Sequence, residues 1–155
     1  MKVLLAIEGS APSQVAVAEV AERPWPNGTV IEVLTVVHPA VPLALDPAFA
    51  LAAAHVDQLH EQRRNAKAVV DEAMNQIRAL APGLELQTKM LEGNPKDVIV
   101  QEARDCGTDL IVVGSHRYGR VRRMLLNSVA EAVVANAPCS VHVAREKRGT
   151  EHVAA

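Results

Sequence analysis

DLIVVGSHRYGRVRRMLLNSVA, Asp109 to Ala130, changes character twice, and the reading of those changes decides the fold. Asp109 to Val113 is a short apolar run rich in β-branched residues with no polar alternation. That is the pattern of a strand covered on both faces, as in the interior of a parallel sheet. Gly114 ends the run, and the chain stays polar and basic to Asn127, with Arg117, Arg120, Arg122 and Arg123 close together. Ser128-Val129-Ala130-Glu131 then has the serine and glutamate spacing that caps a helix. A loop therefore leaves the carboxyl end of a buried strand and feeds a helix amino terminus. Open α/β sheets bind ligands at such places, where free backbone N–H groups meet the positive end of a helix dipole.

Working outward, the remaining segments repeat the strand–helix alternation. Lys2 to Ile7 is a second apolar β-rich run, closed by Glu8-Gly9-Ser10. Ser10 is placed to cap a helix with Pro12 in its first turn and Ala16, Val17, Val20 and Ala21 as its apolar stripe, before Pro24 and Pro26 stop it. Asn27-Gly28 turns into a strand from Thr29 to Val37, which completes a right-handed β-α-β unit. Between His38 and Ala54, Pro39, Pro42 and Pro47 break the pattern, although Ala48 to Ala54 is able to begin a helix, and the segment is either a lid or contact surface, or an apolar loop folded on its own domain. Asp57 to Leu80 reads as the longest helix, with Leu59, Ala66, Val70, Ala73, Ile77 and Leu80 on one face. Leu84 to Leu91 alternates as a less deeply buried strand does. Asn94 and Pro95 start the next helix, whose inward residues are Val98, Ile99 and Ala103, and Gly107 is placed to end it. Ser128 to Asn136 is helical, and Ser140 to Ala144 holds a last short strand. Arg145 to Ala155 is expected to be a mobile charged tail.

Five strands with helices between them make an α/β, doubly wound parallel sheet. A chain of 155 residues is expected to form one domain, here residues 1–145, burying about 70% of its unfolded surface. With 49% hydrophobic and 22% charged residues it is not a disordered chain, and no apolar run reaches the roughly 18 residues of a membrane span. The amino terminus lacks a cleavage-site pattern, so the expected location is cytoplasmic, with no membrane partner. Net charge −2 and 2% aromatic residues argue against nucleic acid as a partner. Cys106 and Cys139 have neither a disulfide nor a metal-site spacing and read as buried small hydrophobes. His55 and His60 are five residues apart, not the three or four a helical metal pair needs, so no metal site is assigned. Neither a Gly-x-x-x-x-Gly-Lys loop, nor a Gly-x-Gly-x-x-Gly turn after the first strand, nor a Gly-x-Ser-x-Gly elbow is present, so no catalytic residue is assigned.

The loop after Gly114 resembles the signature of the universal stress protein family: a strand ending in Gly, two residues, Gly, nine residues, and Gly-Ser or Gly-Thr at a helix start. Here Gly114 and Ser128 fill the first and last positions, while Arg117 and Asn127 stand where the other glycines would be. The acid-Gly-Ser turn after the first strand, the Gly-x-Pro before the third helix and the Ala-Pro-Cys before the final strand belong to the same pattern. The resemblance implies the strand order 3-2-1-4-5, Rossmann-like and similar to the adenine nucleotide alpha hydrolases. It further implies a stress-response or regulatory protein that binds ATP, with Mg²⁺ accompanying the nucleotide and at most slow hydrolysis. The partners it implies are a second copy, paired through the edge strand Ser140 to Ala144, and regulatory proteins. The alternative is a member that has lost the pocket and acts as a protein-interaction module.

Carried onto this chain, the nucleotide-binding set is Ile7, Glu8, Val37, Val113, Gly114, His116, Arg117, Gly119, Asn127, Ser128 and Val129. Glu8 stands where binding members place Asp near the adenosine. Either it reaches a ribose hydroxyl or it only caps the turn. Adenine contacts are implied at the end of the second strand, Val36 to His38. Gly114 and Gly119 allow close backbone approach or positive φ. Arg117 either closes the phosphate pocket or binds phosphate through its guanidinium, with Arg120 assisting. Asn127 tolerates left-handed backbone, and Ser128 caps the helix with its hydroxyl available to phosphate. Ala130 replaces the second hydroxyl that binding members often carry. His116 and Tyr118 flank the same loop, each read as a loop side chain or a ligand contact.

Overall fold

The computed structural model describes residues 1–38, 50–115 and 129–145. Nine elements follow one another: β1 (Lys2–Ala6), α1 (Ala11–Glu22), β2 (Val30–Val37), α2 (Ala50–Leu80), β3 (Glu85–Glu92), α3 (Pro95–Asp105), β4 (Leu110–Gly114), α4 (Val129–Asn136) and β5 (Ser140–Ala144). The five strands form one parallel sheet in the order β3-β2-β1-β4-β5. This is the expected doubly wound topology.

The missing polar alternation in the central strands has a simple cause: both faces are covered. Val3, Leu5 and Ile7 pack with Ile31, Val33 and Val112 against α1 and α2. Leu4, Ala6, Leu34, Ile111 and Val113 pack against α3 and α4. Leu5, Ile31, Leu34 and Ile111 are wholly inaccessible to solvent, and burying one such side chain contributes about 1.5–3 kcal/mol.

Local signals mark the helix ends. Ser10 caps α1 by accepting from the Ser13 amide, and Asn94 caps α3 by accepting from the Lys96 amide at 3.1 Å, with Pro95 as the first helical residue. Gly28 and Gly107 sit at φ 77° and 61°, turning the chain into β2 and out of α3.

Three expectations need correction. The helix read from Asp57 is longer at its start: α2 begins at Ala50, within the stretch Ala48 to Ala54 that is able to begin a helix, because Ala50 to Ala54 are strong helix formers past the last proline. Its inward stripe is Val70, Ala73, Met74 and Ile77, whereas Leu80 in the last turn is 57% exposed. Leu84, just before β3, and Leu86 within it pack on the core, but Met90 of this edge strand is 38% exposed. Cys106 and Cys139 are half-buried free thiols rather than core residues, and the Cys106 thiol donates to Glu102 Oε1 at 2.7 Å. The proline-containing segment 39–49 and the tail 146–155 lie outside the described residues. No helix among the described residues is long and apolar enough to cross a membrane.

Candidate nucleotide site

The carboxyl ends of β1, β2 and β4 meet at a crevice of about 310 Å³. Ala6, Leu34 and Val113 form its apolar floor on the α3–α4 side of the sheet. Pro95 and Ile99 of α3 make one wall, and Val129 and Ala130 of α4 the other. The amino-terminal turns of both helices thus border the cavity, so their positive dipole ends do too. Ile7, Glu8 and Ser115 supply the rim.

Glu8 and Gly114 lie on one crevice because β1 and β4 are hydrogen-bonded neighbours in parallel register, Ala6 beside Val113. The Glu8 carboxylate is exposed and accepts a hydrogen bond from the Ser10 hydroxyl, so it braces the turn that caps α1 while facing the cavity. Behind it, the Gly9 amide donates to Ser13 Oγ at 3.0 Å, and Ser13 Oγ donates to the Ser10 carbonyl at 2.9 Å. Gly9 has φ 87°, and a Cβ there would come within 2.7 Å of Val69, so the turn needs glycine on two counts.

Gly114 has a different reason to be glycine. A Cβ on it would stand 2.2 Å from the Pro12 carbonyl oxygen and 2.7 Å from the Ser13 nitrogen. The first turn of α1 lies directly against the end of β4, and only a residue without a side chain permits that approach. Gly114 is therefore explained by packing whether or not a phosphate ever reaches it. The Ser115 amide, next along, donates to the Ala144 carbonyl at 3.0 Å and is committed to β5.

At the end of β2 it is Val36 that lines the crevice. Val37 is buried, its carbonyl accepting from the Gly93 amide at 3.0 Å, while the His38 ring contacts the Gly93 carbonyl. The structure thus brings Ile7, Glu8, Val113, Gly114 and Val129 together around one cavity, with Val37 one residue beyond its wall. His116, Arg117, Gly119, Asn127 and Ser128 lie outside the described residues. Pro95 and Ile99 were not foreseen as site residues. Their signal was present in the Asn94-Pro95 cap, which fixes where α3 begins and so which of its residues overhang β2.

The sequence profile described as the universal stress protein family matches residues 1–145. A universal stress protein of Thermus aquaticus is 31% identical over 143 residues, covering 92% of this chain and 97% of its own. One from Methanocaldococcus jannaschii is 39% identical over 79 residues, but that stretch covers 50% of this chain and 46% of that relative. Among solved structures, the universal stress protein UspA from Lactobacillus plantarum superposes with a TM-score of 0.74 at 26% identity, over 94% of this chain and 97% of that one. At 21% and 22% identity, and a TM-score of 0.65 each, an Arabidopsis thaliana family protein with AMP bound and an Archaeoglobus fulgidus universal stress protein in complex with dAMP share the fold. The first covers 92% of this chain and 90% of its own; the second covers 94% and 98%. With its strand order and capped turns accounted for, and with a family match spanning residues 1–145, the chain belongs to the universal stress protein family.

Proposed function

We propose that the crevice binds an adenine nucleotide, ATP with its accompanying Mg²⁺ by preference, and that the protein works as a dimeric nucleotide-responsive regulator. The observation that carries this reading is the cavity itself: apolar floor and walls suited to a purine, one carboxylate at the rim for ribose hydroxyls, and two helix amino ends nearby. Its size falls at the lower end of the range for small-molecule sites, which suits a nucleoside and leaves the phosphates outside the described cavity. The phosphates then fall to the loop residues Arg117, Gly119, Asn127 and Ser128, with His116 beside them. AMP and dAMP on the Arabidopsis and Archaeoglobus proteins support the ligand class.

Dimerisation is assigned to β5, which is an edge strand of the sheet among the described residues and so suited to antiparallel pairing with a second copy. The reading as an interaction module without nucleotide draws on one observation, that Gly114 is already required by α1. Native mass spectrometry of freshly purified protein, paired with melting in millimolar ATP and Mg²⁺, separates the two. A ligand at about 100 times its Kd adds about 2.7 kcal/mol, or roughly 5–10 °C in Tm. Glu8→Ala should shrink that gain. A flat titration with no nucleotide in the spectrum refutes the nucleotide reading, and a monomer mass refutes the dimer.

A further inference from the structure

We propose that Glu32 and Glu102 hold a single proton between them, forming a partly buried proton-binding site beneath the floor of the nucleotide crevice. Glu32 is the one acidic residue in the apolar run of β2, and it shares a sheet face with Leu34 and Val36, which line the crevice. Glu102 lies in α3, one turn beyond Ile99, and is only 5% exposed. One oxygen of Glu32, one of Glu102 and the Cys106 sulfur all lie within 4.8 Å of one another.

The other groups facing this pair are Lys89 on β3, Cys106 at the carboxyl-terminal cap of α3 and Lys2 on β1. Lys89 Nζ donates to Glu102 Oε1 at 2.5 Å, and the Cys106 thiol donates to the same oxygen at 2.7 Å. Lys2 Nζ is engaged with the Cys106 carbonyl at 3.0 Å. Glu102 is thus supplied with donors on Oε1, whereas Glu32 Oε1 is buried with no hydrogen-bond partner. In an ionised Glu32, Oε1 would be an acceptor without a donor, beside a second carboxylate. A proton on Glu32 changes both facts, because the carboxyl becomes a donor beside the Glu102 carboxylate and the repulsion between two like charges is removed.

Burial, reinforced by the Glu102 charge, pushes the Glu32 carboxyl above the usual carboxylate range, while the Cys106 and Lys89 hydrogen bonds more than offset burial at Glu102 and hold it below. The sign for stability follows. Glu32 contributes stability that is complete below the ordinary carboxylate pKa and is lost as pH rises through its raised folded value, its proton passing to solvent. Glu102 contributes in the opposite sense, its share being lost as pH falls through its lowered value.

The test is a ¹³C titration of the side-chain carboxyls in the full chain, with melting curves alongside. Glu32 should titrate above a glutamate in an unstructured peptide, because burial and the neighbouring Glu102 charge both disfavour its ionised form. Glu102→Gln should move the Glu32 midpoint down, which burial alone would not do. Glu32→Gln keeps the shape and a donor, and should abolish the fall in Tm expected of the unsubstituted protein as pH rises from the ordinary carboxylate pKa through the raised Glu32 value. A Glu32 midpoint at the peptide value, or one that Glu102→Gln leaves in place, overturns the shared proton. The first reading needs only the unsubstituted protein, so it decides the matter even if a variant fails to fold.

Discussion

Substituting alanine for Gly114 places a methyl group inside the first turn of α1. The new carbon would sit 2.2 Å from the Pro12 carbonyl oxygen, 2.3 Å from the Pro12 carbonyl carbon and 2.7 Å from the Ser13 nitrogen. All three are backbone atoms, so no side-chain rotation relieves the overlap. Neither partner is free to move. β4 is hydrogen-bonded between β1 and β5, with Gly114 itself beside Ala144, and the start of α1 is held by the Ser10 cap and the Gly9–Ser13 bond. Inserting a methylene-sized group into packed structure costs about 1–3 kcal/mol, and two rigid backbones put this case at the upper end, about 3 kcal/mol. At roughly 2–4 °C per kcal/mol for a chain of this size, Tm should fall by roughly 6–12 °C. The assay is thermal and urea unfolding of Gly114→Ala beside Gly83→Ala, a control with nothing within 4 Å of its added carbon. Because the cost lies in packing, the loss should be the same with and without nucleotide. Equal melting of the two variants would refute the claim that α1 dictates glycine at this position.

Two further outcomes are expected. Asn94→Ala should remove the α3 cap at a cost of about 1 kcal/mol by urea unfolding, while Asn94→Gly should cost only a few tenths, as the side-chain bond to the Lys96 amide is the main difference. The Cys106 thiol, pushed up to about 11 chiefly by its hydrogen bond to Glu102 and then by burial, should be alkylated at pH 8 about 100-fold more slowly than an ordinary thiol with pKa 9.0, and Glu102→Gln should restore much of that rate, as read by peptide mass spectrometry.

Much of the architecture was legible because the relevant signals are local. A strand covered on both faces is apolar over most of its length, so the runs within Lys2 to Ile7 and Asp109 to Val113 announce a parallel sheet without any knowledge of their neighbours. Ser10, Asn94 and Gly107 mark helix ends because a cap or left-handed turn constrains the very residue that makes it. The weaker readings came where burial depends on what happens to lie above a residue, as at Leu80 and Met90.

The site divides in the same way. Chain order and turn chemistry alone place Glu8 and Gly114 at strand ends, and strand order then brings them to one crevice. What no stretch of sequence contains is the distance between segments far apart in the chain. Gly114 reads like a loop glycine until Pro12 is seen lying on it. Pro95 and Ile99 become a wall only when α3 is laid over β2. Glu32 and Glu102, in separate elements, are unremarkable apart; parallel pairing and helix packing bring them together, because tertiary contact selects neighbours by space and not by order.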